Sequence, residues 1–317
     1  LGSVLLPGWS GGYLVLAARG SVHLPWTLPA LRKGLQKVGL LLFMNVSFAS
    51  TIWVVTIGDL RVMALPAIGV TVLMAGGLLA LAAARPLNLD RPQTGSFFAC
   101  GSFTNLGAIG ALVVYVFLGE AGYALVPLYK LFEEVVYFTV GFPITKYFSA
   151  GARSRETPWE RLRQVFRDVF VLAALGAITV GGLLNLLEVP RPAVFTTINA
   201  VFIPLGTFVL LTSIGLAMRF ASVREFVPAC LAVMGIKFLA LPALGAGLAL
   251  ALGFRQIDSG LPFKVVLILA SMPVAFVALI PPSLYDLDLD LANACWLATT
   301  LGLVLVLPLL YGLVTVI

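Results

Sequence analysis

The chain has 317 residues, of which 60% are hydrophobic and only 11% charged, and its formal net charge is +6. A soluble domain carries about 25% charged residues, so this composition leaves too little polar surface to face water. Apolar runs recur throughout, each long enough at about 20 residues to cross a bilayer roughly 30 Å thick, and the chain reads as a polytopic α-helical membrane protein.

Ten spans are predicted, at 2–18, 38–56, 62–84, 93–118, 122–145, 168–187, 195–218, 225–253, 265–284 and 291–315. The first is short and holds Pro7 and Gly8; it lacks the basic start of a signal peptide and leads directly into further spans. Span 2 contributes Asn45, Ser47 and Thr51, and span 7 Asn199 and Thr207, as polar groups able to pack or to line a pocket. Span 4 is interrupted by Gly101-Ser102-Phe103-Thr104-Asn105-Leu106-Gly107, and span 9 by Ala270-Ser271-Met272-Pro273-Val274-Ala275. Non-helical backbone at bilayer depth is tolerated only where it is buried in protein or lines a cavity. Matching interruptions in two halves point to the binding site of a transporter.

Span 5 carries Lys130, Glu133, Glu134 and Tyr137 on one helix face, at offsets of three, four and seven. Ionisable groups at bilayer depth are costly and are functional candidates by default. A Lys130–Glu134 pair would neutralise itself; a carboxyl left partly protonated by desolvation would serve proton coupling or gating. Lys237 stands in span 8 between Gly235 and Pro242. It would attract an organic anion, place its ammonium where a coupling cation would sit, or pair with Glu133, Glu134 or helix-terminal carbonyls. The turn Asp286-Leu287-Asp288-Leu289-Asp290 lacks the glycine and closing glutamate of a calcium loop and reads as a solvated turn.

Loop charges orient the chain. With the N-terminus outside, fourteen of the 20 basic residues fall in cytoplasmic loops and four (Arg61, Arg191, Arg255, Lys264) in outer loops. That bias fits the positive-inside rule with both termini on the non-cytoplasmic side of a cell membrane. It also accounts for the net charge without a nucleic-acid partner, and the basic loop at 146–167 would meet anionic lipid headgroups. This loop separates residues 1–145 from 168–317, five spans from five, so the second half enters from the opposite side as an inverted repeat.

Cys100, Cys230 and Cys295 lie in apolar segments without metal-ligand spacing and read as packed thiols. The single histidine, His23, sits in the first cytoplasmic loop. No glycine-rich phosphate loop followed by lysine occurs, so neither an enzyme, a resident cofactor nor ATP-driven transport is expected.

An unwound span would present the N–H groups of its second half-helix, with about half a positive charge, to a carboxylate. Asn105 adds an amide donor there, with Ser102 and Thr104 beside it and Gly107 in the same run; Pro273 removes a backbone donor and breaks span 9, next to Ser271. The first break, rich in polar groups, would carry selectivity, and the second mainly backbone.

The stretch FTNLGAIGALVVYVFLGEAGYALVPLYK resembles the Asn-x-Gly fourth-span pattern of the auxin efflux carrier family. SMPVAFVALIPPSLYDLDLDLANACWLATTLGLVLVLPLLY resembles that family's ninth-to-tenth span signature, and FIPLGTFVLLTSIGLAM its seventh span. In span 2 the chain departs from the family, reading Leu42-Phe43-Met44-Asn45-Val46-Ser47 where a proline is usual. The family belongs with bile acid and arsenite carriers. The resemblance implies a scaffold of spans 1, 2, 6 and 7, a mobile core of spans 3–5 and 8–10, and crossing broken helices in spans 4 and 9. It further implies elevator-type transport of small organic anions and a homodimer formed through the scaffold. With no carboxylate in either break, proton-coupled or facilitated transport is favoured over the sodium symport of bile acid-type relatives. A channel or a non-cycling sensor on the same fold is the alternative from another class.

Overall fold

The computed structural model describes residues 28–55, 59–149, 167, 169–215 and 223–317. Span 1, His23 and most of the basic loop lie outside the described residues. Among these residues the chain is helical, without β-strands beyond a single two-residue bridge. Five helical stretches are long and apolar enough to cross a membrane: Gly34–Ile52, Leu60–Ala84, Leu106–Tyr147, Val227–Ala251 and Leu289–Val316. Shorter apolar helices cover Leu172–Leu186 and Val194–Leu210. Large apolar side chains stand outward, as on the last helix, where Leu305 and Leu309 are 72% and 75% exposed. A surface of that kind is matched to lipid tails rather than water.

The chain divides into two compact units. The first comprises Leu1–Thr56, Ala111–Pro127 and Asp168–Arg219. Within it, helix Val169–Leu186 packs on Asn45–Ile52, and Val194–Gly215 packs on the widened turn Val38–Met44. Asn185 Nδ2 donates to the carbonyls of Trp53 and Val55 (2.9 and 2.8 Å), and Trp53 Nε1 donates to Val189 O (2.7 Å), which ties off the end of the span 2 helix.

The second unit comprises Ile57–Gly110, Leu128–Arg167 and Phe220–Ile317. Its best-defined pair is Leu65–Ala84 against Arg91–Ser102. Asp90 starts the latter with a capping box, accepting from Gln93 N while the Gln93 side chain accepts from Asp90 N, and Pro92 occupies the first turn. A Cβ on Gly101 would lie 2.5 Å from both the Gly76 carbonyl oxygen and Ala80 Cβ, so the two backbones approach as closely as only glycine permits. On the far side, Leu289–Val316 packs against Arg91–Ser102 and Val227–Gly235, and Leu241–Ala251 against Leu261–Ala270. Asp288 caps the last helix through Leu291 N (2.8 Å) and accepts from Gln93 Nε2 (3.2 Å), so the acidic turn is a cap rather than an ion site.

Besides Leu106–Gly110, two stretches among the described residues of this unit widen to π-helical turns, Tyr137–Gly141 and Ile236–Ala240. Each ends two residues before a proline, Pro143 or Pro242. The proline offers no N–H to the carbonyl four residues back and its ring crowds that carbonyl, which accounts for the extra residue in the preceding turn. The first of these turns holds Tyr137 and the second holds Lys237.

Candidate functional site

Span 4 stays helical from Arg91 to Ser102 and stops at Phe103, which is extended (ψ 121°). Helix resumes with the wide turn Leu106–Gly110 and continues through Ala111–Tyr129, bent at Gly119 (φ 67°). Span 9 is helical from Leu261 to Ala270 and resumes at Phe276. Between them, Ser271 to Ala275 leave the helix around Pro273, as the missing N–H requires.

The two breaks meet. Thr104 and Val274 form an antiparallel bridge, in which Asn105 N donates to Pro273 O (2.9 Å) and Ala275 N donates to Phe103 O (3.0 Å). Backbone groups released by unwinding one helix are thus satisfied by those released from the other, as a dry interior demands. Thr299 secures the second break: its hydroxyl accepts from Val274 N (3.2 Å) and donates back to its own helix at Cys295 O (2.9 Å).

Asn105 is 7% exposed. Its Oδ1 accepts from Ile109 N (3.1 Å) and its carbonyl accepts from Gly110 N (3.0 Å), so it caps the helix that restarts beyond the break. Its Nδ2 has no acceptor among the described residues. Gly107 and Ala108, half-buried, form the accessible part of this first turn, and a Cβ on Gly107 would lie 3.2 Å from Lys130 Nζ. An amide donor, a helix N-terminus and an ammonium therefore share one place.

Lys130 pairs with Glu133, Nζ to Oε2 at 2.8 Å, and Glu134, the partner the sequence named, is a second carboxylate near the same ammonium. The helix ending at Tyr129 gives way to a turn before restarting at Glu133, so the i,i+4 spacing of a continuous helix does not set this pairing. Glu134 is half-buried. The other Glu133 oxygen, Oε1, lies 2.9 Å from the Tyr137 hydroxyl oxygen, which is also 3.1 Å from Thr104 O, so the two oxygens compete for its one hydrogen. The Tyr137 oxygen in turn accepts from Thr104 N (3.0 Å), and its ring lies 4.1 Å from that of Phe103. Lys237, fully buried, donates from Nζ to Thr104 Oγ1 (2.7 Å) and Phe103 O (3.2 Å). Of the partners foreseen for it, one helix-terminal carbonyl, Phe103 O, is bonded to it, and the Thr104 hydroxyl joins as a partner not foreseen.

Lys130, Glu133, Thr104, Asn105, Gly107, Pro273 and Lys237 are thus brought together within one unit. Ser102 and Ser271 lie at the breaks: the Ser102 hydroxyl donates to Leu73 O (3.1 Å) on the neighbouring helix, and the Ser271 hydroxyl donates back to Leu267 O (2.7 Å) of its own helix. Asn45 belongs to the first unit and its amide approaches Leu41 O on its own helix (3.4 Å). Tyr137 and Thr299 were missing from the expected site. The offset of four from Glu133 placed Tyr137 on the right face, whereas no local signal marked Thr299.

A second polar cluster lies within the first unit. Arg191 Nη2 meets Glu120 Oε2 (2.9 Å) and its Nη1 donates to Ser50 O (3.1 Å), while Asn199 Nδ2 donates to Ser50 Oγ (3.0 Å) and Glu120 Oε1 (3.3 Å). Cys100, Cys230 and Cys295 are buried free thiols, and no group of metal-ligating side chains occurs among the described residues.

Apolar helices of spanning length, with a polar, charge-bearing junction inside them, make this an integral membrane protein. No family model matches the chain. Over 236 residues it is 27% identical to an uncharacterized transporter of Methanothermobacter thermautotrophicus, a match that spans 74% of this chain and 72% of that protein.

Proposed function

We propose that the protein is a secondary transporter of small organic anions, carboxylates above all, of the auxin efflux carrier type. The observation that carries this reading is the first break. A donor without an acceptor among the described residues (Asn105 Nδ2), the N-terminus of the restarting helix and the Lys130 ammonium beside Gly107 converge where the backbone is half-exposed. A carboxylate placed there would gain charge-assisted hydrogen bonds and the favourable end of a helix dipole. The transporter relative supports the same class. Because both breaks, Lys130, Glu133 and Lys237 lie in one compact unit, they would travel as one body in the elevator-type alternation that the resemblance implies. Glu133, bridging Lys130 and Tyr137, is the group through which proton coupling or gating would act.

The test is uptake of radiolabelled mono- and dicarboxylates into proteoliposomes. Asn105→Asp keeps the capping oxygen and deletes the amide donor. It is expected to fold as the wild type does and to lose about 10- to 100-fold in transport, the worth of one hydrogen bond to a charged group. Asn105→Ala loses both the donor and the cap. Undiminished transport in Asn105→Asp would remove Asn105 from the site.

A further inference from the structure

A buried ammonium requires a counter-charge, and the way Lys237 finds one is unusual. Its side chain is fully buried, and among the described residues no carboxylate lies within ion-pair distance of it. An isolated charge in such a place is costly unless dipoles compensate it. The compensation here is the end of helix Arg91–Ser102. The last turn of that helix carries about half a negative charge on its terminal carbonyls, and Phe103 O beyond it accepts from Ala275 N and still has a second lone pair to offer. The Lys237 ammonium sits on Phe103 O and Thr104 Oγ1 just past that end.

Two oxygens at a helix C-terminus, inside a membrane protein, with Glu133 nearby but bonded to Tyr137 and Lys130 instead of to this ammonium, make an environment suited to a small monovalent cation. The widened turn Ile236–Ala240, set by Pro242, carries Lys237 at this point. The second break has no such charge: Ser271 Oγ meets Leu267 O, and the Thr299 hydroxyl meets Val274 N. Among the described residues, the Lys237 ammonium is therefore bonded at the first break and not at the second.

We propose that the Lys237 ammonium is a built-in counter-cation, occupying a monovalent-cation position at the first break and making a mobile sodium ion unnecessary there. The consequence for coupling rests on the transport reading, but occupancy of the position is measurable without any substrate, so the two can fail separately.

The experiment is thermal unfolding of purified full-length protein at matched ionic strength in chloride salts of sodium, potassium, methylammonium and choline. The wild type is expected to unfold at the same temperature in all four. Lys237→Ala empties the position. It is expected to unfold several degrees lower in choline and to recover saturably in sodium or methylammonium, which fit, as a ligand that binds only the folded state must produce. Lys237→Gln supplies a neutral donor that fills the space. It is expected to be less stable than wild type and unresponsive to the cation. Three results would each overturn the proposal: saturable stabilisation of the wild type by sodium, a Lys237→Gln protein as stable as wild type, or a Lys237→Ala protein indifferent to the salt. The wild-type and Lys237→Gln arms decide the matter even if the Lys237→Ala variant does not fold. In proteoliposomes, sodium dependence of uptake should appear in Lys237→Ala and be absent from the wild type. A complete lack of uptake in the wild type would count against the transport reading and leave the cation result standing.

Discussion

Tyr137→Phe removes one oxygen from the centre of the junction while leaving its packing intact. The ring keeps its place against Phe103 at 4.1 Å, so no cavity opens. Two buried groups lose partners. Thr104 N donates to the phenol oxygen at 3.0 Å and would have no acceptor, at a cost of about 1–3 kcal/mol. Glu133 Oε1 accepts from the same hydroxyl at 2.9 Å, one helical turn back; a typical intramolecular hydrogen bond contributes about 0.5–1.5 kcal/mol net. Together these give about 3 kcal/mol, with the backbone donor the larger part because it cannot move to water. The assay is thermal or denaturant unfolding in detergent, where a loss of that size corresponds to about 6 °C in Tm at roughly 2 °C per kcal/mol for a chain this large. A double-mutant cycle with Glu133→Met, which removes the acceptor, then isolates the pair: the side-chain part should vanish in the Glu133→Met background while the Thr104 part persists. A Tm shift within about 1 °C of zero, or a loss abolished entirely by Glu133→Met, would refute the assignment of the main cost to the Thr104 amide.

Three further outcomes follow from the geometry. Gly101→Ala sets a Cβ against the Gly76 carbonyl and Ala80, where neither backbone can yield easily, and should lower stability by about 2–3 kcal/mol, read as Tm; an unchanged Tm would mean that the helices do not approach this closely. Thr299→Val is nearly isosteric but strands the Val274 N–H, at about 1–3 kcal/mol, and amide exchange at Val274 should accelerate while that of distant helices does not. Arg191→Met strands Glu120, 23% exposed, and Ser50 O, so it should cost about 2 kcal/mol. Adding Glu120→Gln should recover part of that loss.

Whether a segment is apolar over twenty residues, and whether it holds a proline or a run of small polar residues, is a local property. The sequence therefore determined the membrane class by itself and placed both interruptions, because Pro273 lacks an N–H wherever it sits and Gly101 to Gly107 is a poor helix in any context. The offset of four between Glu133 and Tyr137 likewise placed them on one face. Which groups meet across the interior is not local. Lys237 is more than 130 residues from Phe103 and Thr104 in the chain, and only the packing of span 8 against the first break selected their oxygens over Glu133 and Glu134. The turn between Tyr129 and Glu133 brought Glu133 onto Lys130, an interruption that helical periodicity cannot reveal. The joining of Thr104 to Val274 was decided by tertiary structure for the same reason: backbone groups carry no side-chain signature, and their pairing is fixed only when two unwound segments arrive at one buried place and must satisfy each other.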